Sequence, residues 1–531
     1  MILIRDIRLS PGEPETRLPL LAAKALGVAP EAIREWRIVK KSLDARKKSD
    51  LHWTYALACR CDGEAALLRR GRGEPWEPPR YVIPRASSPD RPVVVGFGPA
   101  GMFAALALAE AGLRPIVLER GERVEERVRD VTRFWETGVL DGESNVQFGE
   151  GGAGAFSDGK LTTGTHDPRI PFVLDTLVRF GAPEHIRYDA KPHVGTDVLR
   201  RVVKNLRVRV EALGGEVRFR TRFTGYETGP EGHLRAACAE GPEGTLVLPC
   251  RDLILAPGHS ARDTFVLLRD RGLDLEKKAF AMGVRIEHRQ ADIDLAQYGR
   301  QSPKMKLPPA DYKLSVHLPD GRGVYTFCMC PGGYVVAAAS EAGGLVTNGM
   351  SYSGRAGENA NAALLVGLRP EDFPPEGGVL AGMEWQRRLE RACFALGGGD
   401  YRAPAQTVGE FLRGVPSAGP GGVLPSYRPG VRWCALDEAL PGLVTDSLRQ
   451  ALPLLGQKLR GFDAPDAVLT APEARSSSPV RILRDGGLCA PRVPGLYPCG
   501  EGAGYAGGIT SAAVDGLRCA EKIIEQFAIN N

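Results

Sequence analysis

Three glycines and one glutamate form a pattern that can hold a dinucleotide. Gly96, Gly98 and Gly101 follow the spacing G-x-G-x-x-G between the strand-like VVV and the helix-like AALALAEAG, and Glu119 ends the next strand. The glycines permit a tight turn, backbone approach to a pyrophosphate at the helix N-terminus, and close packing of helix on strand. The carboxylate can accept hydrogen bonds from both ribose hydroxyls and would repel a 2′-phosphate. The pattern predicts an adenine dinucleotide with a free ribose.

A second glycine-rich turn lies near the C-terminus, in CGEGAGYAGGITSAAVDG. Glu501 follows Gly500, and Gly508 precedes a helical segment. A flavin needs a helix N-terminus near its N1/C2=O edge and a polar group for its ribityl chain, and this turn could supply both. A simple NAD dehydrogenase has no need of such an element. The alternative is an ordinary glycine turn between a strand and a helix. Together, the two turns favour FAD.

The stretch FGEGGAGAFSDGKL places several glycines and alanines before a single lysine, Lys160. Small residues let backbone N–H groups line a cofactor, and an ammonium offsets negative charge on phosphate or on reduced flavin. The alternative is a flexible surface loop with a solvated lysine. We expect Lys160 to contact the FAD.

Three side chains are candidates for proton or electron transfer. In Cys328-x-Cys330 both thiols are predicted to face the same side of a strand, which would give a redox pair or one reactive thiol, with Cys330 as the candidate. Cysteines so spaced bridge poorly in extended backbone, and buried free cysteine is the alternative. His259 follows the turn LILAPG and Tyr505 lies in the C-terminal turn, where each could act in acid–base chemistry or have a structural role.

Two arginines, Arg475 and Arg481, flank the sequence SSSP. They are candidates for binding an acidic substrate, although arginines on loops are usually solvated. The eleven cysteines are odd in number and form no C-x-x-C. We therefore expect no disulfide framework, no iron–sulfur cluster and no other metal site.

Hydrophobic patterning predicts an α/β protein with an insertion. We expect four segments: a small basic α+β domain over residues 1–88, the first part of a Rossmann-like FAD-binding domain over 89–277, an inserted antiparallel β-rich substrate domain over 278–465, and the second part of the FAD-binding domain over 466–531. The first boundary follows from a stretch rich in Pro and Gly. Strands and helices alternate from residue 91, and the pattern becomes rich in strands after residue 278.

The first 90 residues carry 17 lysines and arginines against 12 acidic residues, and so account for the net charge of +5 of the whole chain. A basic segment within them comprises Arg37, Lys40, Lys41, Arg46, Lys47 and Lys48. It could contact nucleic acid, but a solvated surface is the alternative and only Trp36 and Trp53 interleave with the charges. We expect no nucleic-acid partner.

The uncharged stretch of residues 92–109 is interrupted by a glycine turn, so it does not predict a membrane span. The N-terminus MILIRDIRLSPGE lacks the apolar core of a signal peptide. We expect a cytoplasmic protein with no membrane partner.

Several of these segments resemble known flavoproteins. VVVGFGPAGMFAALALAEAGLRPIVLERG, LILAPG and CGEGAGYAGGITSAAVDG resemble the glutathione-reductase-like two-dinucleotide-fold flavoproteins. NVQFGEGGAGAFSDGKL, GHSARDTF, FCMCPGGYVV, VTNGMSYSGRAGENAN and RSSSPVRI resemble the bacterial FAD-dependent dehydrogenase family with a small N-terminal domain, and this likeness covers nearly the whole chain.

The resemblance implies FAD as the cofactor and assigns residues to its parts. The ADP half would be held by Gly96, Gly98, Pro99, Ala100, Gly101, Glu119 and Arg120. The residues along the pyrophosphate and the flavin would be Gly152, Ala153, Gly154, Lys160, Leu161 and Gly258. The residues at the ribityl chain and the ring edge would be Gly500, Glu501, Gly508, Ile509 and Thr510. Pro257 departs from the usual Ala-Thr-Gly turn and removes one backbone donor.

These observations predict an FAD-dependent oxidoreductase that transfers a hydride between a small organic substrate and the flavin N5. We find no second complete unit in which a strand, a G-x-G-x-x-G turn, a helix and a second strand follow one another, so no dedicated NAD(P)H domain is expected, although NAD(P)H could reduce the flavin transiently. Two alternatives are a flavin-dependent RNA-modifying enzyme, suggested by the basic N-terminal unit, and a flavin-binding regulatory protein without turnover.

Overall fold

The computed structural model describes residues 1–301 and 303–529. The chain begins with a small α+β unit. Its elements are β1 (Ile2–Leu9), α1 (Leu18–Leu26), β2 (Ile33–Asp44), β3 (His52–Cys61), α2 (Glu64–Arg69) and β4 (Glu74–Pro75). The strands form an antiparallel sheet of order β2-β3-β1-β4. Apolar residues of β1, β3 and α1 form a separate hydrophobic core in this unit.

From residue 93 the chain contains both helices and short strands. The elements are β5 (Val93–Val95), α3 (Pro99–Ala111), β6 (Ile116–Leu118), α4 (Val124–Thr137), α5 (Ile170–Arg179), α6 (Thr196–Ala212), β7 (Glu216–Arg218), β8 (Arg222–Thr228), β9 (Leu234–Gly241), β10 (Gly244–Pro249), β11 (Leu253–Leu255), α7 (Arg262–Asp270) and β12 (Leu275–Lys277). Strands β8, β9 and β10 form a separate antiparallel sheet.

The next part of the chain contains long strands. The elements are β13 (Phe280–Arg289), α8 (Gln290–Tyr298), β14 (Ser315–His317), β15 (Gly323–Ala337), β16 (Thr347–Met350), β17 (Asn359–Leu368), α9 (Ala381–Gly397), β18 (Ala403–Thr407), α10 (Val408–Arg413), β19 (Val431–Trp433), α11 (Gly442–Lys458) and β20 (Val468–Glu473). The chain ends with β21 (Val480–Ile482), β22 (Leu496–Pro498) and α12 (Ile509–Phe527).

Two sheets dominate the molecule, so the predicted mixed α/β class is confirmed. The parallel sheet has the order β22-β11-β5-β6-β7. The large sheet has the order β14-β15-β17-β13-β20-β18-β19, with β16 paired to β15. Its pairs are antiparallel except β18 with β19. Because β20 pairs with β13 and β18, the large sheet extends beyond the predicted limit at residue 465.

Helix α3 lies in the core of the parallel-sheet region. It is apolar around its whole circumference and almost all of its residues are buried, as expected for a helix packed on all sides. Its main helical neighbour is α12, and Gly516 permits their close contact, because a Cβ at that position would lie 2.0 Å from the Ala100 carbonyl oxygen. The first and last segments of the parallel-sheet region are therefore joined through one core.

The N-terminal unit packs against the rest of the chain. The Lys41 N–H donates to the Tyr188 carbonyl, and the Ala190 N–H donates to the Lys41 carbonyl. Leu51, at the tip of the β2–β3 hairpin, belongs to the hydrophobic cluster that includes the large sheet. Within the described residues, no helix has both the length and the apolar character needed to cross a membrane.

Candidate functional site

A cavity of about 340 Å³ lies between the parallel sheet and the large sheet. Turns after β5, β6, β11 and β22 form one part of its wall, at the carboxyl ends of parallel strands, where α/β sheets commonly bind ligands. The predicted site residues on the wall are Gly96, Gly98, Pro99, Ala100, Glu119, Arg120, Gly152, Ala153, Gly154, Lys160, Gly258, His259, Arg475, Gly500, Glu501, Gly508 and Ile509. Tertiary structure thus brings together turns separated by some hundreds of residues.

The N-termini of two helices open onto this cavity. Helix α3 begins at Pro99 after the extended Gly98, and α12 begins at Ile509 after Gly508. The first-turn N–H groups of a helix have no acceptor within the helix and attract negative charge. Two such termini in one cavity can bind an anionic group and a second electron-rich group.

Gly96 and Gly101 shape the turn before α3. Gly96 has φ +90°, and a Cβ there would lie 2.2 Å from the Ala256 carbonyl oxygen. Gly101 is not on the cavity wall: a Cβ there would lie 1.9 Å from the Gly96 carbonyl oxygen. Its contribution is therefore the packing of α3 on the turn rather than contact with a ligand.

Glu119 is 4% exposed, and its carboxylate accepts hydrogen bonds from the turn after β5, the turn after β6 and the glycine-rich loop. Its Oε2 accepts from the Phe97 N–H at 2.8 Å, and its Oε1 accepts from the N–H groups of Gly121 and Gly149, both at 2.9 Å. Both lone pairs of Oε1 are used, so one acceptor position is left on Oε2. Glu119 can therefore accept a hydrogen bond from one ribose hydroxyl, whereas the sequence predicted hydrogen bonds from two.

Arg120 lies on the wall but its guanidinium is already paired. It donates to both carboxylate oxygens of Glu143 at 2.8 and 3.0 Å and to Asp263 at 2.9 Å, and it stacks 4.2 Å from the centroid of the Phe148 ring. Burial opposes the charge, but Glu143 and Asp263 outweigh burial and raise the pKa of Arg120. Arg120 therefore stays charged at the cavity edge.

Arg127, which the sequence did not single out, organises the glycine-rich loop. The side chain is fully buried in α4 and donates to five backbone carbonyls, those of Asn145, Val146, Gly149, Glu150 and Gly152. Burial lowers the pKa of Arg127 to about 9. A signal was present: Arg127 falls on the apolar face of its amphipathic helix, between Val124 and Val131.

Lys160 is near a buried carboxylate. Its Nζ lies 3.5 Å from Asp158 Oδ2, and Arg355 lies 3.7 Å from the same oxygen. The Ser351 hydroxyl donates to Asp158 Oδ1, and His193 Nε2 lies 3.2 Å from the Ser351 hydroxyl. Burial opposes the charge of Lys160, but Asp158 outweighs burial and raises the pKa of Lys160. Burial lowers the pKa of His193 to about 4.

Leu161 and Thr510 contact each other rather than the cavity. The Thr510 hydroxyl donates to the Leu161 carbonyl at 2.7 Å, and both residues are buried off the wall. This bond fixes the loop after Lys160 to the first turn of α12. Their predicted contact with the cofactor becomes an indirect, positioning one.

His259 lies on the wall with both ring nitrogens near oxygen atoms. Nε2 lies 3.1 Å from the Arg475 carbonyl, which can only accept, so Nε2 carries a hydrogen. Nδ1 lies 3.3 Å from Glu501 Oε1. The imidazole therefore lies between Glu501 of the C-terminal turn and the segment that follows β20.

The predicted orientation of the two cysteines is wrong. The β15–β17 ladder shifts register between Phe327 and Cys330, and Cys328 has φ +41°. A bulge of this kind breaks the alternation of side chains. Cys328 lies on the cavity wall, whereas Cys330 is fully buried off it, with its thiol 3.3 Å from the Cys328 carbonyl. Cys328 therefore replaces Cys330 as the accessible thiol.

Glu473, at the end of β20, is a wall residue that the sequence analysis missed. Its Oε1 lies 3.5 Å from Arg285, and among the described residues its buried Oε2 has no hydrogen-bond partner. Burial raises the pKa of Glu473 to about 7, although Arg285 opposes this. No local pattern marks a lone glutamate at the end of a buried strand.

Three further candidates are engaged elsewhere. The Arg475 guanidinium makes two 2.8 Å bonds to the buried Glu390, so the predicted binding of an acidic substrate is not supported. Arg481 is off the wall and pairs with Glu276 at 2.8 Å. Tyr505 is also off the wall, and its hydroxyl donates to the backbone carbonyl of Ile482. Tyr505 is therefore not placed for proton transfer in the cavity.

Part of the basic N-terminal segment is neutralised within the fold. Arg37 pairs with Glu35, Lys41 with Glu15, and Arg46 with Asp44.

One cluster has the composition of a metal site. Cys499, Asp515 and Cys519 bring ligand-type atoms within 4.8 Å of one another. The Asp515 carboxylate, however, already accepts hydrogen bonds from both Arg484 amino groups and from the Gly500 N–H. The Arg484 guanidinium thus supplies the positive charge that a metal ion would bring to this carboxylate.

Comparisons with known proteins give consistent matches along the chain. Residues 279–476 match the family described as FAD-dependent protein, C-terminal domain-like, residues 91–139 match an FAD binding domain, and residues 1–60 match a domain of unknown function. An uncharacterized protein from Clostridium beijerinckii is 48% identical over 533 residues, covering 99% of each chain.

Solved structures show more distant likeness. The quinol fumarate reductase subunit FrdA of E. coli is 13% identical, covers 83% of this chain and 71% of its own, and gives a TM-score of 0.39. A geranylgeranyl bacteriochlorophyll reductase-like protein from Thermoplasma acidophilum is 14% identical, covers 82% and 79%, and gives 0.35.

Proposed function

The chain belongs to the family of FAD-dependent proteins and is an FAD-dependent oxidoreductase, and we propose that it transfers a hydride between a small organic substrate and the flavin N5. The observation that carries the proposal is the make-up of one cavity wall. Dinucleotide-type turns come from the parallel sheet, and the carboxyl of Glu473, whose Oε2 has no hydrogen-bond partner among the described residues, comes from the large sheet.

The wall residues fit FAD. The N-terminus of α3 would hold the pyrophosphate, the free acceptor position of Glu119 would take a ribose hydroxyl, and the N-terminus of α12 would face the ring edge. The small residues Gly152, Ala153 and Gly154 leave room for the cofactor beside α3. When bound, FAD supplies a centre that accepts or donates two electrons.

Two side chains would serve the substrate half of the cavity. Glu473 would accept the proton that a substrate hydroxyl or amine loses when it is oxidised, because its Oε2 has no partner in the described part of the chain and burial raises its pKa to about 7. Lys160 would provide positive charge on the wall, held in place by Asp158. Burial between the two sheets would keep water from the reacting atoms.

Anaerobic mixing of the purified holoprotein with candidate alcohols, amines and hydroxy acids tests this function. Bleaching of the flavin absorbance would identify a substrate, and its rate should rise with pH through about 7 as Glu473 loses its proton. The variant Glu473→Gln should keep FAD, reduce it at least about 100-fold more slowly and lose this pH dependence. The exposed Glu371→Gln in the same region is the matched control.

Parallel titrations with NADH and NADPH identify the electron donor. Slow or absent bleaching by both agrees with a donor that is the substrate itself. Fast bleaching at micromolar nicotinamide would instead make NAD(P)H the reductant and the small molecule the acceptor. Failure of every donor to bleach the flavin would overturn the hydride-transfer proposal.

A further inference from the structure

Cys328 occupies an unusual backbone position on the cavity wall. Its φ of +41° lies in the left-handed region, which costs energy for a residue with a side chain. Tertiary structure maintains this conformation within the bulge between Phe327 and Cys330. The effect is to turn one thiol of the pair out of the core and into the cavity.

Positive charge and a second thiol lie near Cys328. The Cys330 thiol donates to the Cys328 carbonyl at 3.3 Å, and Arg285 donates to the same carbonyl at 2.9 Å and to Cys330 Sγ at 3.6 Å. The hydrogen bond from Cys330, followed by the charges of Lys160 and Arg285, lowers the pKa of Cys328 to about 6, while burial and Asp158 oppose this. Lys160 lies on the same wall.

Two other wall residues have unused hydrogen-bonding capacity. Glu473 Oε2 has no partner among the described residues, although its side chain is only 7% exposed. Asn348 accepts the Gly349 N–H with its Oδ1, which leaves its amino group to donate. A nucleophile, a proton donor and a carbonyl-binding amide thus line one cavity.

We propose that Cys328 adds covalently to an α,β-unsaturated carbonyl compound bound in this cavity. The sulfur forms a bond to the β-carbon, and the electron pair of the C=C bond moves onto the carbonyl group. Glu473 then delivers a proton to the α-carbon, and the Asn348 amino group donates to the carbonyl oxygen. A thioether forms without a leaving group, an oxidant or a reductant. A thiolate is the side-chain nucleophile best suited to such a carbon.

N-ethylmaleimide, a conjugated imide, tests the addition on full-length holoprotein. At a pH below about 8.5, the ordinary pKa of a cysteine thiol, we expect Cys328 to react at least about tenfold faster than Cys238 and Cys489, which are also partly exposed. Peptide mass mapping over time measures each site. Labelling of Cys328 no faster than that of these two cysteines would overturn the proposal.

Three variants separate the roles of the wall residues. Cys328→Ser should remove the fast labelling, and Cys330→Ala should shift its pH midpoint upwards. Glu473→Gln should slow labelling by N-ethylmaleimide but not by iodoacetamide, because displacement of iodide needs no proton at carbon. Equal effects on both reagents would exclude Glu473 as the donor.

The labelling reports on Cys328 independently of hydride transfer. If no donor reduces the flavin but Cys328 is labelled rapidly, only the hydride-transfer proposal fails. If Cys328→Ser reduces its flavin at the normal rate and Cys328 of the wild-type protein is labelled slowly, only the proposed role of the thiol fails.

Discussion

At the scale of single residues, the positions with chemical meaning were recognisable mainly as glycines. The spacing of Gly96, Gly98 and Gly101 shapes only the turn before α3 and the packing of that helix on the turn, and this turn has the predicted form. Side chains were harder to assign. Arg475 is neutralised by Glu390, whereas Glu473, two residues away, carries the unpaired oxygen on the wall. Which of two neighbouring residues has a partner depends on a different part of the chain.

A substitution at Gly96 should test the turn. In Gly96→Ala the new methyl group would lie 2.2 Å from the Ala256 carbonyl oxygen at a φ of +90°. We expect a loss of about 3 kcal/mol in the free energy of unfolding and a lower FAD content. Denaturant melts and the flavin absorbance measure both. Gly164→Ala, exposed and with no atom within 4 Å, is the control and should change neither.

At the scale of elements, helix α4 and the glycine-rich loop form one unit. The loop has few side chains with which to hold its shape, and Arg127 compensates by binding its carbonyls. Gly149 fits against this arginine, since a Cβ there would lie 2.4 Å from Arg127 Cδ. The loop can therefore present small residues to the cavity and still be ordered.

Replacing Arg127 by methionine should loosen the loop. Five backbone carbonyls would each lose the hydrogen bond from Arg127, so we expect a loss of about 4 kcal/mol in the free energy of unfolding and weaker FAD binding. Calorimetry and FAD titration of the apoprotein measure the two effects. Arg129→Met, at an exposed position of the same helix, should change stability by less than about 0.5 kcal/mol. Similar losses in both variants would contradict the proposed role of Arg127.

At the scale of the whole molecule, the N-terminal unit is attached to both sheet regions. Its hairpin bonds to the segment around Tyr188, and Leu51 enters the hydrophobic cluster of the large sheet. Three basic residues of the unit, Arg37, Lys41 and Arg46, form ion pairs within it.

Disrupting this attachment should release the unit. Leu51→Asp places a charge at a site that is 6% exposed, so we expect a lower melting temperature and faster proteolytic cleavage in the connecting stretch 76–92. The free energy of unfolding should fall by about 2 kcal/mol or more. Leu20→Asp, at a position of α1 that is 51% exposed, is the matched control. Unchanged cleavage in Leu51→Asp would show that the backbone bonds alone hold the unit.

The sequence by itself determined the mixed α/β class and the turn before α3, because these depend on local spacing and periodic burial, and the resemblance of its longer motifs to known flavoproteins indicated the family and the cofactor. Only the tertiary structure decided which residues share the cavity. A bulge in β15 exchanged Cys330 for Cys328, and pairing with β20 placed Glu473 on the wall. Ion pairs engaged the guanidinium groups of Arg475, which lies on the wall, and of Arg481, which does not. These outcomes depend on long-range strand register and on the partner each charge finds, and neither is encoded in the few residues around the site.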